Sequence, residues 1–426
     1  MTTQRQFALG FANEPEPRFS LDERCVEFPE GLRTAEFTHT LHRFPGKFVP
    51  QVARELFELI HATERSVIAD PFCGSGTSLV EASLLGIPSI GVDYDPLAVL
   101  ISRAKTTPLS HHQLRELKDY WRGNIEEGDV VALEAAVPNL YHWFTPEAAR
   151  QLAFIKRKAL EIQDNDLRRF SLVMFSSIIR RVSNADDQTQ KTYVSGTLKK
   201  TPPTPSELFP QFVDRAIKGM RDYAQFNRAS AQVFRADARV WSCSTLLDGI
   251  VTSPPYIDSI DYVYNQMLEY FWLYDFLELR AISDVHSLRR EPVGFRRARI
   301  EESLERLAAR APTATDLLEP LVRRIAAVSV KEAENVMGYF SDFCSHLECA
   351  QQNMKPGSVY AVVVGESYIR GVTVPTLEIL RGLFQSYEFK DLGGCSYLIK
   401  RHYMKFPRRS NSRKINIDHI RCFRRL

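Results

Sequence analysis

Hydrophobic positions along the chain change period in a regular way. VARELFELI (52–60) sets Val52, Leu56, Leu59 and Ile60 on one side of a helix entered from the Pro-Gly turn of HRFPGK. SVIAD (66–70) is a short run suited to a buried strand, and PFCGSG after it is a tight loop. TSLVEASLLG then reads as a helix closed by Gly86, and SIGVDYD (89–95) as a second strand. Strand, helix and strand in that order make a βαβ unit with parallel strands. From about 105 to 230 the pattern is helical: LRRFSLVMFSSIIRRV is strongly apolar and FPQFVDRAIKGMRDYAQF amphipathic. The polar stretch between them, SNADDQTQKTYVSGTLKKTPPTPS, reads as a mobile loop. Strands return at AQVFRADAR and GIVTSPPY, MLEYFWLYDFLEL is a helix, and residues 280–330 are Arg-rich and helical. KPGSVYAVVVGE is a turn leading into a strand, TVPTLEILRGLFQSY a helix, and SYLIKR with HIRCFRR an antiparallel closing pair. No internal repeat is visible. The fold class expected is α/β: a doubly wound, mostly parallel sheet with an antiparallel closing strand and a helical insertion.

This pattern divides the chain. Residues 1–30 form a polar arm, and 31–105, 231–280 and 335–426 together form the main domain. Residues 106–230 are a helical insertion and 281–334 a second, Arg-rich one. Composition adds little: 44% of the 426 residues are hydrophobic and 25% charged, as in an ordinary globular protein. A net charge of +3 does not by itself announce a nucleic-acid binder. The seven cysteines contain no CxxC pair and no zinc-like spacing, so neither a disulfide framework nor a metal is expected. The first residues have no signal-peptide core, and no apolar run approaches about eighteen residues. A cytoplasmic protein with no membrane partner is the expectation.

Two places carry chemistry. DPFCGSGTS lies between a strand and a helix, where doubly wound folds bind nucleotide-like ligands. Gly74 and Gly76 permit close backbone approach and unusual φ values. GxxxxGK[ST] is absent, and so is the third glycine of a dinucleotide fingerprint. Asp93, ending the next strand, suits ribose hydroxyls, and Asp70 suits the orientation of an amino-acid portion. A ligand with adenosine but no pyrophosphate fits. The plain alternative is a packing turn with Asp93 as a surface acid.

Ser253-Pro254-Pro255-Tyr256 ends the strand GIVT abruptly, because neither proline can donate to the ladder. An exocyclic amine on a nucleobase is a poor nucleophile, since its lone pair is delocalised into the ring. Fixed acceptors for both amino protons free that pair, and the Ser253 hydroxyl and Pro254 carbonyl are candidates. Tyr256 is a candidate platform for an extruded base. A Pro-Pro turn with Tyr256 as core is the plain alternative.

Together the two stretches resemble the S-adenosylmethionine-dependent amino-methyltransferases of DNA, which modify cytosine at N4 or adenine at N6. The family's loop DPFxGSGT is matched by Asp70, Pro71, Phe72, Gly74, Ser75, Gly76 and Thr77, with Cys73 at the variable position. Its (D/N/S)PPY element is matched by Ser253 to Tyr256. The resemblance implies a class I methyltransferase-like, Rossmann-like domain binding S-adenosylmethionine. It implies Phe72 near the cofactor, Asp93 on its ribose and Asp237 approaching its adenine amino group. HRFPGKFVPQ resembles the segment over the methionine end, which brings in Lys47 or Phe48. Serine at the first catalytic position favours cytosine-N4. Adenine-N6, an RNA base, or a non-catalytic subunit of a restriction or defence system are the rivals. Cytosine-C5 chemistry is disfavoured, because the chain has no Pro-Cys dipeptide.

The implied partner is double-stranded DNA, with a cognate restriction endonuclease as a further possible one. Basic stretches that could follow phosphates contain Arg289, Arg290, Arg296 and Arg297 in one and Arg408 and Arg409 in another. The 106–230 insertion, with Arg180, Arg181 and its polar loop, is the candidate recognition lobe. Asp261 and Tyr262 follow the catalytic corner closely enough to line a base pocket.

Overall fold

The structure, a computed structural model, describes residues 34–47, 49–129, 137–187, 189, 191–197, 199–257, 261–279, 282–288, 293, 298–398 and 417–426. Nine strands are present among them: β1 (Ile68–Asp70), β2 (Ser89–Asp93), β3 (Ala231–Arg235), β4 (Leu247–Thr252), β5 (Met354–Gly365), β6 (Ser367–Ile369), β7 (Val372–Val374), β8 (Phe389–Leu398) and β9 (Ile417–Arg425). Seven form one sheet in the order β3-β2-β1-β4-β5-β9-β8. β3 to β5 run parallel, while β9 is antiparallel to both of its neighbours. This is a doubly wound, Rossmann-like sheet, with the antiparallel strand β9 inserted between β5 and the edge strand β8. β1 pairs with β2 on one side and β4 on the other, so the strand order reverses there. A crevice opens at the carboxyl ends of the strands at such a point.

Helices cover both faces. On one lie α1 (Pro50–Leu59), α2 (Thr77–Leu84), α3 (Pro96–Thr106), α4 (His111–Tyr120), α5 (Pro146–Glu161), α6 (Asn165–Val182) and α7 (Pro205–Phe226). The other carries α8 (Ile300–Arg310), α9 (Pro312–Ala326), α10 (Val330–Asn353) and α11 (Thr376–Ser386). Helices from residues 106–230 pack directly on those of the sheet. α3 rests on α6, and one continuous apolar core runs from Phe37 through Phe170, Phe175 and Met220 to Cys422. A second core under the other face joins Val336, Phe340, Tyr360 and Phe384.

Three local features depart from the sequence pattern. KPG is no separate turn: β5 starts at Met354, and a register shift opposite Leu247 and Gly249 absorbs Gly357 at φ 82° as a bulge. β6 and β7 form an unforeseen hairpin turning at Arg370 and Gly371, both with positive φ, the twist that suits a two-residue turn. The helix in MLEYFWLYDFLEL stops at Leu273. No helix among the described residues is long and apolar enough to cross a membrane.

Candidate active site

β1 delivers Asp70 to the floor of the crevice. Its carboxylate accepts from the Thr252 hydroxyl (2.5 Å), the Ser78 hydroxyl and the Phe72 amide (3.1 Å), which ties the ends of β1 and β4 to the start of α2. Burial pushes its pKa up to about 6 against these hydrogen bonds, so Asp70 holds the loop at an electrostatic cost. Gly74 and Gly76 have φ values of +48° and +75°. A methyl on Gly74 would lie 3.1 Å from the Phe44 ring, and one on Gly76 would lie 2.9 Å from the Ser102 hydroxyl. The glycines therefore serve the protein's own packing as well as any ligand.

β2 ends at Asp93, whose two oxygens accept from the amides of Gly74 (2.8 Å) and Asp95 (3.0 Å). Asp95, missed from the sequence despite its Asp-Pro helix-start signature, caps α3 through Leu97 and Ala98 and accepts from Tyr270. Burial, and then the neighbouring Asp95 charge, pushes Asp93 up to about 7.

These groups line an open cavity of about 840 Å³ together with Phe44, Lys47, Phe72, Cys73, Thr77, Tyr94, Asp237, Ala238, Ser253, Pro255, Tyr262 and Val293. Asp70, Asp93, Asp95 and Asp237 line it beside Lys47, with Asp237 paired to Arg239. That field repels phosphate and suits a ligand carrying ammonium, sulfonium and hydroxyl groups. Ser75 Oγ, Thr77 Oγ1, Tyr94 OH and Asp95 Oδ2 are buried with no hydrogen-bond partner among the described residues. All four residues line this cavity, so polar capacity is left over for a bound group. The donor set fits S-adenosylmethionine. The Cys73 thiol is pushed well up by burial and is no nucleophile.

The turn over the cavity is anchored from below. Lys47 donates to the His39 carbonyl (2.9 Å), and the His39 ring meets Glu81 (2.6 Å), which also receives Arg54 (2.5 Å). Burial lowers His39 to about 4, so a neutral ring donates its Nε2–H to Glu81. Phe44 stacks on Tyr262 with centroids 5.9 Å apart. Phe48 lies outside the described residues.

Of the SPPY corner, Ser253 and Pro255 line the cavity, Pro254 is buried, and Tyr256 is not among the lining residues. The Tyr256 hydroxyl instead donates to Asp418 (2.8 Å) on β9. The aromatic residues that line the cavity are Phe44, Phe72, Tyr94 and Tyr262. Asp237 lines the cavity while its carboxylate pairs with Arg239 (2.6 Å), which also reaches Asp342 (2.8 Å).

Arg180 is not a DNA contact. It is buried, and its guanidinium donates to the carbonyls of Asp186 (2.9 Å), Thr189 (2.9 Å), Lys191 (3.0 Å) and Asn265 (3.0 Å) and to the Thr192 hydroxyl (3.1 Å). The last turn of α6 faces inward here, and five acceptors hold the charge. The polar loop after α6, expected to be mobile, is thereby tied to the segment beside Tyr262. Removing the guanidinium takes a donor from all four carbonyls, of which Asn265 keeps the Thr192 hydroxyl and Thr189 keeps Arg43. Arg180→Ala should lower stability by about 3 kcal/mol and expose the 183–192 loop to protease, read by denaturant melts and limited proteolysis. Arg181 is exposed on the neighbouring face. Arg289, Arg290, Arg296, Arg297, Arg408 and Arg409 lie outside the described residues.

Comparison with known proteins bears on this geometry. A family model described as UPF0020, RMKL-like, methyltransferase domain matches residues 39–121, the stretch from the covering turn through α4. Type II methyltransferase M.MvaI of Kocuria varians is 27% identical over 390 residues, 84% of this chain and 83% of that protein. Type II methyltransferase M.MjaII of Methanocaldococcus jannaschii is 41% identical over 80 residues, 19% of this chain and 14% of that protein. A tRNA (guanine(10)-N2)-dimethyltransferase of the same organism is 43% identical over 51 residues, 12% of this chain and 14% of that protein. These matches support a methyltransferase activity, for which S-adenosylmethionine is the implied methyl donor.

Proposed function

We propose that the protein transfers a methyl group from S-adenosylmethionine to the exocyclic N4 of cytosine in double-stranded DNA, within a short recognition sequence. One observation carries the reading: Ser253 and Pro255 of the corner line the same cavity as Asp70, Gly74 and Asp93 of the loop. The cofactor supplies an electrophilic methyl on a sulfonium. The Ser253 hydroxyl and the Pro254 carbonyl accept the two amino protons of an extruded base, and the Pro-Pro bend keeps those acceptors from relaxing. Asp93 takes the ribose hydroxyls, Lys47 sits at the covering turn, and Asp237 with Ala238 closes the adenine end. A restriction endonuclease reading the same sequence is the natural partner for such an activity. Serine at position 253 supports cytosine over adenine-N6. The RNA alternative draws on a relative matched over 12% of this chain, against 84% for M.MvaI.

The test is expression in a host lacking DNA modification, with the genome read by single-molecule sequencing. N4-methylcytosine in one short motif is expected. Methyladenine replaces the base assignment, and an unmodified genome removes the DNA reading.

Cofactor binding should depend on pH through Asp93. Its raised pKa means that burial and Asp95 disfavour the ionised form in the free protein, whereas a cationic ligand favours it. Binding therefore releases a proton, and affinity should rise as pH climbs to about 7 and level off above it. Calorimetric titration between pH 5.5 and 8.5, in buffers of different ionisation heat, should show that limb in the wild type and, in Asp93→Asn, only a weaker one near 6 from Asp70.

A further inference from the structure

One helix grips the segment that closes one end of the cavity. Asp342, His346, Cys349 and Asn353 follow one another in α10 at spacings of four, three and four, which puts them on a single helix face. All four reach the residues after β3. Asp342 pairs with Arg239 (2.8 Å), His346 Nδ1 meets the Ala238 carbonyl (2.8 Å), and Cys349 Sγ donates to the Trp241 carbonyl (2.9 Å). Asn353 donates to that same carbonyl (3.2 Å) and accepts from the Cys243 amide (2.8 Å). No strand ladder holds this segment against the loop after β1, because β2 lies between β3 and β1.

One of these contacts bears directly on the cavity wall. Ala238 lines the cavity, and so does Phe72, whose ring centroid is 4.8 Å from that of His346. His346 is fully buried and is not itself a lining residue. Its partners fix its protons. A carbonyl only accepts, so Nδ1 carries the hydrogen given to Ala238. Burial keeps the ring neutral, with its pKa lowered to about 4, so Nε2 holds a lone pair and takes the Tyr360 hydroxyl (2.7 Å). Tyr360 belongs to β5, so one imidazole ties the wall after β1 and the wall after β3 to the body of the sheet.

We propose that His346 is a positioning residue for the cofactor, which keeps the Ala238 carbonyl turned into the protein and so fixes, against Phe72, the slot that receives the adenine. This inference rests on the S-adenosylmethionine reading of the cavity and not on the choice of target base.

The experiment is calorimetric titration of the full-length chain with S-adenosylmethionine and with methylthioadenosine, which keeps adenine and ribose and lacks the amino acid. Melting temperature is recorded beside it. Two amides separate the two ring nitrogens: the side-chain nitrogen of Asn stands where Nδ1 stood, and that of Gln where Nε2 stood. His346→Gln loses the donor to Ala238 and should weaken both ligands on the order of 10-fold. His346→Asn keeps that donor and should stay within about threefold of the wild type. Cys349→Ala removes the neighbouring hold, on a residue outside the cavity lining, and should change affinity by less than about twofold. A merely structural ring would make affinity follow melting temperature, alike in the two amide variants. Equal affinities in His346→Gln and His346→Asn, or a loss in Cys349→Ala as large as in His346→Gln, overturns the inference. So does a loss for S-adenosylmethionine with methylthioadenosine unaffected, which would place the effect at the amino-acid end. If His346→Gln does not fold, His346→Phe decides, since it keeps a ring against Phe72 and loses only the polar atoms; unchanged affinity there is equally fatal. A wild-type protein that binds neither ligand removes the cofactor reading and this inference with it, whereas one that binds both and labels no DNA removes only the DNA reading.

Discussion

Ser253→Ala is expected to reduce methyl transfer by at least about 100-fold while cofactor affinity remains that of the wild type. The serine stands at the carboxyl end of β4, beyond Thr252, and contributes nothing to the hydrogen bonds that shape the glycine loop. That loop is organised by Asp70 through Thr252, Ser78 and Phe72, all of which survive the substitution. What is lost is one of two fixed acceptors on an amine whose lone pair is otherwise spread into the ring. A preorganised group of this kind does little for ground-state binding and much for the barrier, so kcat should fall and the affinity for S-adenosylmethionine should not. Transfer of tritiated methyl to DNA, beside calorimetric cofactor binding, separates the two. Undiminished turnover in Ser253→Ala would remove the mechanism.

The second large effect is on stability. Glu81 is fully buried in α2 and faces Arg54 of α1 at 2.5 Å and His39 of the covering turn at 2.6 Å. Its carboxyl is held below the usual range, because the Arg54 charge and the hydrogen bonds from His39 and Arg54 outweigh burial. Glu81→Ala leaves the Arg54 guanidinium, 6% exposed, facing a void where its carboxylate stood. Breaking a buried pair by removing one partner costs about 3–5 kcal/mol, which a urea melt would register as a lower midpoint. The same change frees His39, whose carbonyl receives Lys47, so cofactor affinity should fall with stability. Glu81→Gln keeps the shape and one acceptor oxygen, hence one of the two contacts, and should recover part of both. Equal melting midpoints for wild type and Glu81→Ala would show that the cluster is not holding the turn.

Much of the frame was legible because its signals are local. The run SVIAD-PFCGSG-TSLVEASLLG-SIGVDYD carries strand, turn, helix and strand periods within thirty residues, and β1, α2 and β2 fall where those periods put them. Of the antiparallel closing pair, HIRCFRR fell within β9, whereas SYLIKR met only the last three residues of β8, which begins at Phe389. Errors came where a residue's role depends on what lies opposite. Arg180 sits in an arginine pair at a helix end, which reads as a charged surface, yet one of the two faces inward onto five acceptors from a loop and from the segment beside Tyr262. Tyr256 reads as a base platform, but its hydroxyl is claimed by a carboxylate 162 positions away. Asp418 had no sequence signal at all: DHIRCFRR announces only a strand.

Residue order by itself determined the parallel α/β frame, the glycine loop with its two acids, and the proline-stiffened corner. Each depends on backbone preferences acting over a few neighbours. Only the tertiary structure decided that loop and corner open into one cavity, that Glu81 anchors the turn above it, and that β9 brings a buried carboxylate behind the corner. Those are contacts between segments far apart in the chain. They are set by strand order and by the need of buried charges for partners, neither of which leaves a local trace.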